Sequence, residues 1–422
     1  MAELVYDETG RLLFTEEMRD EGYTILVPQM LPVMFKLVLK IFNRQGYRVE
    51  ALETTGRKVV ETGLKYVHND MCYPAILTIG QLIEAVESGR YDVHKIALAI
   101  SQTGGGCRAS NYVHMLRKAL KRAGLEFVPV VSVNINGLEP NPGFKLSINF
   151  GRELIFAMMY GDLLVDLGNQ CRPYEIHPGA TDALIDAWAD KLVDLFNSGK
   201  GMNQNAMRAL MREIIADFAK IERRSEKKVR VGIVGEIYVK YAPLGNNNLE
   251  AFLFSEGAEV VVPGFTHFLM MKINNRYVDV DLYGGSRLKK LGMKLFQGYI
   301  AQCQQIMIEA MKEEGTFRAP EPFSTLQELV KGYLSPGNKM GEGWLLTAEM
   351  LELIHSGTKN VVCTQPFGCL PNHIVGKGMM RKIKNDYPDS NIVAVDYDPG
   401  ATKINQENRI KLMLSNAKEA EE

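Results

Sequence analysis

The chain has 422 residues, enough for two or three domains with buried cores. Its 49 basic and 50 acidic side chains interleave to a net charge of −1, which excludes a global field drawing it to nucleic acid or an anionic membrane. No stretch reaches the roughly 20 apolar residues of a membrane span, and the start, MAELVYDETG, lacks the basic and apolar parts of a signal peptide, so a cytoplasmic location is expected.

In chain order, LVYDETGRLLF reads as a hairpin around Glu8, Thr9 and Gly10. The apolar run Thr24–Met30 predicts a strand. A helix follows to Gly46, and then the strand YRVEAL, giving one βαβ unit. Ile76–Ser88 predicts an amphipathic helix, and HKIALAIS (His94–Ser101) a buried strand. The helix Asn111–Ala123 and the strand Phe127–Val133 complete the first region. Continuous apolar strands alternating with helices imply a parallel sheet covered on both faces.

From about Phe144 to Lys228 the periodicity is helical, over Leu146–Leu167, Thr181–Asn197 and Asn203–Arg224. Alternation then restarts with strands at Val229–Ile237, Glu259–Phe265, Asn360–Pro366 and Asn391–Asp398. Helices are expected at Asn248–Ser255, Arg287–Glu314, Thr325–Gly332, Thr347–Ser356 and His373–Asp386. The fold class is α/β, with two Rossmann-like, doubly wound parallel-sheet domains (1–143 and 229–422) joined by a helical region (144–228).

Six cysteines are spread along the chain with no CxxC pair, so any metal site must be assembled from distant segments. Ligands of an open parallel sheet bind beyond the carboxyl ends of its strands. Cys107 lies there, after Gly104, Gly105 and Gly106, which let the backbone pass close to a bulky group, with Ser110 expected as the helix N-cap. Cys369 repeats the design in QPFGCLPNH, and Cys72 precedes a helix with Pro74 near its first turn. Helix N-termini stabilise thiolates, so the three suit anionic ligands of an electron-poor metal centre. Cys363, mid-strand, is either a core residue or a fourth ligand. Cys171 and Cys303 read foremost as small buried hydrophobes. Glu236 and Glu342 are the candidate acidic groups facing the cleft, by their positions at element ends. GIVGEI followed by APLGNNN looks like a phosphate turn, but it matches neither GxGxxG nor a Walker motif.

The phrases HNDMCYPAILTIGQ, SQTGGGCRASNY, VGIVGEIYVKYAPLGNNN, GEGWLLTAEM, QPFGCLPNHIVGKGM and VAVDYDPGATKINQENRI resemble the 2-hydroxyacyl-CoA dehydratase superfamily. The chain is most similar to the C-terminal dehydratase-like module of its large activase-fused proteins, and is related to the double-cubane cluster proteins. The resemblance implies an oxygen-sensitive [4Fe–4S] cluster held between two Rossmann-like domains, with CYPA supplying Cys72, GGGC supplying Cys107 and PFGCLPN supplying Cys369. The alternative is an [8Fe–9S] double-cubane cluster, which would need about six cysteine ligands. The resemblance further implies a separate ATP-dependent activator as electron donor, a homo- or heterodimer, and a dehydratase (lyase) or reductase activity on a small substrate. A rival expectation is a non-catalytic electron-transfer or cluster-carrier module whose cluster is fully ligated through Cys363 or Cys171. A third is a metal-free binding module.

Overall fold

The computed structural model describes residues 2–103, 105–134, 139, 141–145 and 147–421. It contains two four-stranded sheets, each parallel throughout and flanked by helices. The first runs in the order β2-β1-β3-β4, with β1 at Thr24–Pro28, β2 at Arg48–Leu52, β3 at Ile96–Ser101 and β4 at Val130–Val133. The second repeats that order as β6-β5-β7-β8, with β5 at Arg230–Gly235, β6 at Glu259–Val261, β7 at Asn360–Pro366 and β8 at Asn391–Tyr397. In each sheet the chain reverses its direction of winding at the first strand of the set. A crevice therefore opens beyond the carboxyl ends of β1 and β3, and of β5 and β7.

The central strands are almost wholly buried because helices cover both faces. Ile96 to Ile100 and Val361 to Pro366 are all buried. Helix Tyr73–Glu87 is expected from its sequence to be amphipathic, yet every residue from Tyr73 to Val86 is buried. The reason is its position. Ala75, Ile79 and Leu82 pack into the core of the first sheet, while Tyr73 and Leu77 pack into that of the second. Ile79, Leu82 and Leu77 each contribute about 1.5–3 kcal/mol through burial, so this helix fastens the two sheets together.

Helices Ile148–Cys171, Ala180–Asn197 and Gln204–Ala219 form a largely helical core, joined by helices Phe265–Tyr283 and Arg287–Glu314. Phe265–Tyr283 is a helix the sequence pattern does not reveal, since Asn274, Asn275 and Asp279 interrupt its apolar rhythm. The expected strand Glu259–Phe265 correspondingly ends at Val261. Pro263 has no N–H to pair, and Gly264 caps the following helix. Two more helices, Arg57–Tyr66 and Lys403–Glu421, also escape the pattern. The segment expected as the helix His373–Asp386 starts instead as a π-turn over Asn372–Gly376. It tightens through Lys377–Met379 and becomes α-helical only at Met380–Asp386. Among the described residues no helix is long and apolar enough to cross a membrane.

Candidate functional site

The carboxyl ends of the two sheets meet. The carbonyl of Phe367, just past β7, accepts the backbone N–H of Tyr73 at 2.9 Å. Gly368 has a φ of +70°, and a Cβ there would lie 3.0 Å from the Cα of Cys72 and 3.3 Å from Nη1 of Arg108. Only glycine allows both this conformation and this approach.

Three thiols flank the junction. Cys72 caps helix Tyr73–Glu87 and is 5% exposed. Cys107 occupies the corresponding place before the 3₁₀ turn Arg108–Asn111, which leads into helix Tyr112–Arg122. The expected N-cap role of Ser110 is not seen; its hydroxyl donates to the carbonyls of Gly105 and Cys107 at 2.9 and 2.6 Å and ties the glycine loop closed. Cys369 follows β7 and is 7% exposed. His373 Nδ1 lies 2.7 Å from the Cys369 carbonyl and 2.7 Å from Gln365 Nε2, so this histidine fixes the Cys369 backbone.

Burial raises all three thiols above the usual cysteine range, Cys107 to about 12. The carboxylates of Glu342 and Glu236 add to the shift at Cys107 and Cys369. The Cys72 charge is felt at Cys107, and that of Cys107 at Cys369, which places the three in one electrostatic neighbourhood. Without a metal these are neutral thiols; a bound metal centre would deprotonate them.

Glu236 follows β5 and caps helix Ile237–Tyr241, its Oε2 accepting the Val239 N–H at 2.9 Å. Glu342 Oε1 accepts the N–H of Ile237 at 3.0 Å, which brings the two carboxyls together. Burial, reinforced by the Glu342 charge, pushes Glu236 up to about 8. At neutral pH this pair therefore retains a proton.

The tertiary structure adds residues that the sequence reading misses. Tyr112 places its hydroxyl 2.9 Å from Cys72 Sγ. Lys272, on the unforeseen helix Phe265–Tyr283, donates to the Gly341 carbonyl at 2.6 Å and is close enough to sense both Glu342 and Cys107. Met340 packs on the glycine loop, its Sδ 3.2 Å from the Gly106 N–H, and a Cβ on Gly106 would come within 2.8 Å of that sulfur. Gly105 and Gly106 thus allow close approach of a side chain from the second half of the chain. Gly104 lies outside the described residues. No local signal marks Lys272, because the helix that carries it has no clean apolar period.

The remaining cysteines lie elsewhere. Cys363 faces the core beside Val361, Leu346 and Ile392, with its sulfur 3.9 Å from Asn372 Oδ1. Burial pushes its thiol pKa up to about 12. Cys171 and Cys303 are fully buried in the helical core.

Among the described residues no three His, Cys, Asp or Glu side chains converge tightly enough to hold a single metal ion. A mononuclear site at the three thiols does not fit that spacing. A polynuclear cluster puts its own body between the ligating sulfurs and does not require that convergence. The backbone N–H groups of Ala75, Ala109 and Asn372 hydrogen-bond the thiols of Cys72, Cys107 and Cys369 and partly offset the effect of burial. No protein-family model and no curated protein matches the chain.

Proposed function

We propose that Cys72, Cys107 and Cys369 hold a [4Fe–4S] cluster and that the chain accepts low-potential electrons from an ATP-dependent activator to reduce or dehydrate a small substrate. The observation that carries this is the meeting of three helix-terminal thiols from two separate sheets at one junction, beside a proton-retaining carboxyl pair. Such a cluster would supply redox chemistry and one open coordination position. The chain's own residues do the rest. Tyr112 offers a hydrogen bond to the Cys72 sulfur. Glu236 and Glu342 keep a proton beside the thiols, and Lys272 places a positive charge there. The mouth of the junction carries exposed Phe367, Leu370, Ile374 and Met340, an apolar rim suited to a docking donor protein.

The placement of Cys171 and Cys303 in the helical core favours the single cubane over the [8Fe–9S] alternative. The test is anaerobic purification with iron, sulfide and zinc quantification and electron paramagnetic resonance. Iron and acid-labile sulfide near four each per chain, reducible by an activator with ATP but not by ATP alone, is the expected result. Stoichiometric zinc without sulfide would overturn it.

A further inference from the structure

A second site lies away from the thiols. A cavity of about 330 Å³ lies among helix Ile148–Cys171, the β6 edge, the start of helix Phe265–Tyr283 and the end of helix Trp344–His355. One wall is apolar, built by Val165, Val260, Met307 and Leu353. The other presents Asp166, His267 and Glu352.

The cations of the cavity are engaged. Arg318 is paired with Glu259, and Arg230 donates to the Gly357 carbonyl at 3.1 Å. Asp162 is satisfied as well, accepting the N–H groups of Phe265 and Thr266 at 2.9 and 2.8 Å. Acceptors remain. Asp166 Oδ1 takes the Gln170 amide at 3.1 Å, while its buried Oδ2 has no hydrogen-bond partner among the described residues. His267 is 3% exposed. Its Nε2 lies 3.2 Å from the Glu321 carbonyl, which requires the proton on that nitrogen and leaves Nδ1 as an acceptor. That Nδ1 also has no partner among the described residues. Glu352, 6% exposed, accepts the backbone N–H of Glu321, and burial raises its carboxyl to about 8, so it carries a proton at neutral pH.

Buried acceptors without donors are costly. The matching ligand is a cation with several N–H donors and a short apolar body. We propose that this cavity binds a small primary amine in its ammonium form, donating to Asp166 Oδ2 and His267 Nδ1, with its alkyl chain on the valine–methionine–leucine wall. An ammonium group offers three donors and no acceptor, the complement of this lining. The inference does not draw on the thiol site.

The experiment is a binding titration of the anaerobically purified full chain at constant ionic strength, read by the thermal unfolding midpoint and by NMR. n-Butylammonium should bind saturably and raise the midpoint. n-Butanol, which lacks the charge, and tetramethylammonium, which lacks the N–H groups, should not. Asp166→Asn should weaken n-butylammonium binding by about 10-fold or more. His267→Phe, which keeps a ring and removes the Nδ1 acceptor, should do the same when tested in parallel and stands in should the first variant fail to fold. Absence of saturable binding would overturn the assignment. So would equal binding of n-butanol, equal affinity for ammonium chloride, or unchanged affinity in the folded variants.

Discussion

The Tyr112 hydroxyl sits 2.9 Å from the sulfur of Cys72, and both groups are buried. When Cys72 ligates a cluster as thiolate, the phenol becomes the donor, and donors to ligating sulfur raise the reduction potential. Tyr112→Phe removes the donor and keeps the ring. Its expected effect is a midpoint potential more negative by on the order of tens of millivolts, with iron content unchanged. Redox titration followed by electron paramagnetic resonance reads both.

Ligands and bystanders separate by substitution. Cys72→Ala, Cys107→Ala and Cys369→Ala should each lose most iron and sulfide. Cys303→Ala and Cys171→Ala should retain the full complement and cost about 1–2 kcal/mol through the small cavities they leave. Cys363→Ala is expected to behave like these two, because its sulfur faces Asn372 and the core rather than the junction. Loss of the cluster in Cys363→Ala, measured by iron assay, would make it the fourth ligand and turn the reading toward an electron carrier.

The close approach at Gly368 gives a third test. Gly368→Ala forces a side chain to a φ of +70° and against the Cys72 backbone. About 1–3 kcal/mol of stability should be lost. The junction should open enough to shed the cluster in air faster than the parent chain, followed by the decay of visible absorbance.

Lys240 and Glu349 form a buried ion pair at 2.9 and 3.1 Å, with side chains 4% and 2% exposed. Lys240→Met leaves Glu349 uncompensated, and about 3–5 kcal/mol should be lost in denaturant unfolding. The double variant Lys240→Met/Glu349→Leu should recover most of that loss, since the pair's desolvation is removed along with its attraction.

Stability should also depend on Glu352, whose carboxyl burial pushes from 4.5 up to about 8. The folded chain therefore holds a proton that the unfolded chain releases. Stabilisation from this group is complete below the unfolded value near 4.5 and is lost as pH rises through about 8. Glu352→Gln should flatten that part of the pH–stability curve. At about pH 9 it should be more stable than the parent by on the order of 2 kcal/mol. Guanidinium unfolding across the range checks the sign.

The sequence by itself determined the two parallel sheets. Runs such as Ile96–Ile100 and Val361–Cys363 carry no polar side chain and do not alternate, as a strand covered on both faces requires, and glycine turns follow each strand. It likewise placed Cys72, Cys107 and Cys369 just before helices, because proline and glycine beside them are local signals; that Cys72 follows the helix Arg57–Tyr66 and not a strand was missed. What surrounds those thiols was decided only in three dimensions. Tyr112 looks like one more apolar helix position until Cys72, 40 residues earlier, is folded against it. Lys272 sits on a helix with no clean period, and Met340 in a loop, yet both reach the first sheet's glycine turn. Helix Tyr73–Glu87 shows the limit most directly. Periodicity can tell that a helix has one buried face, but its second face was buried by the other domain, and a partner that arrives from 150 or more residues away leaves no mark on local spacing.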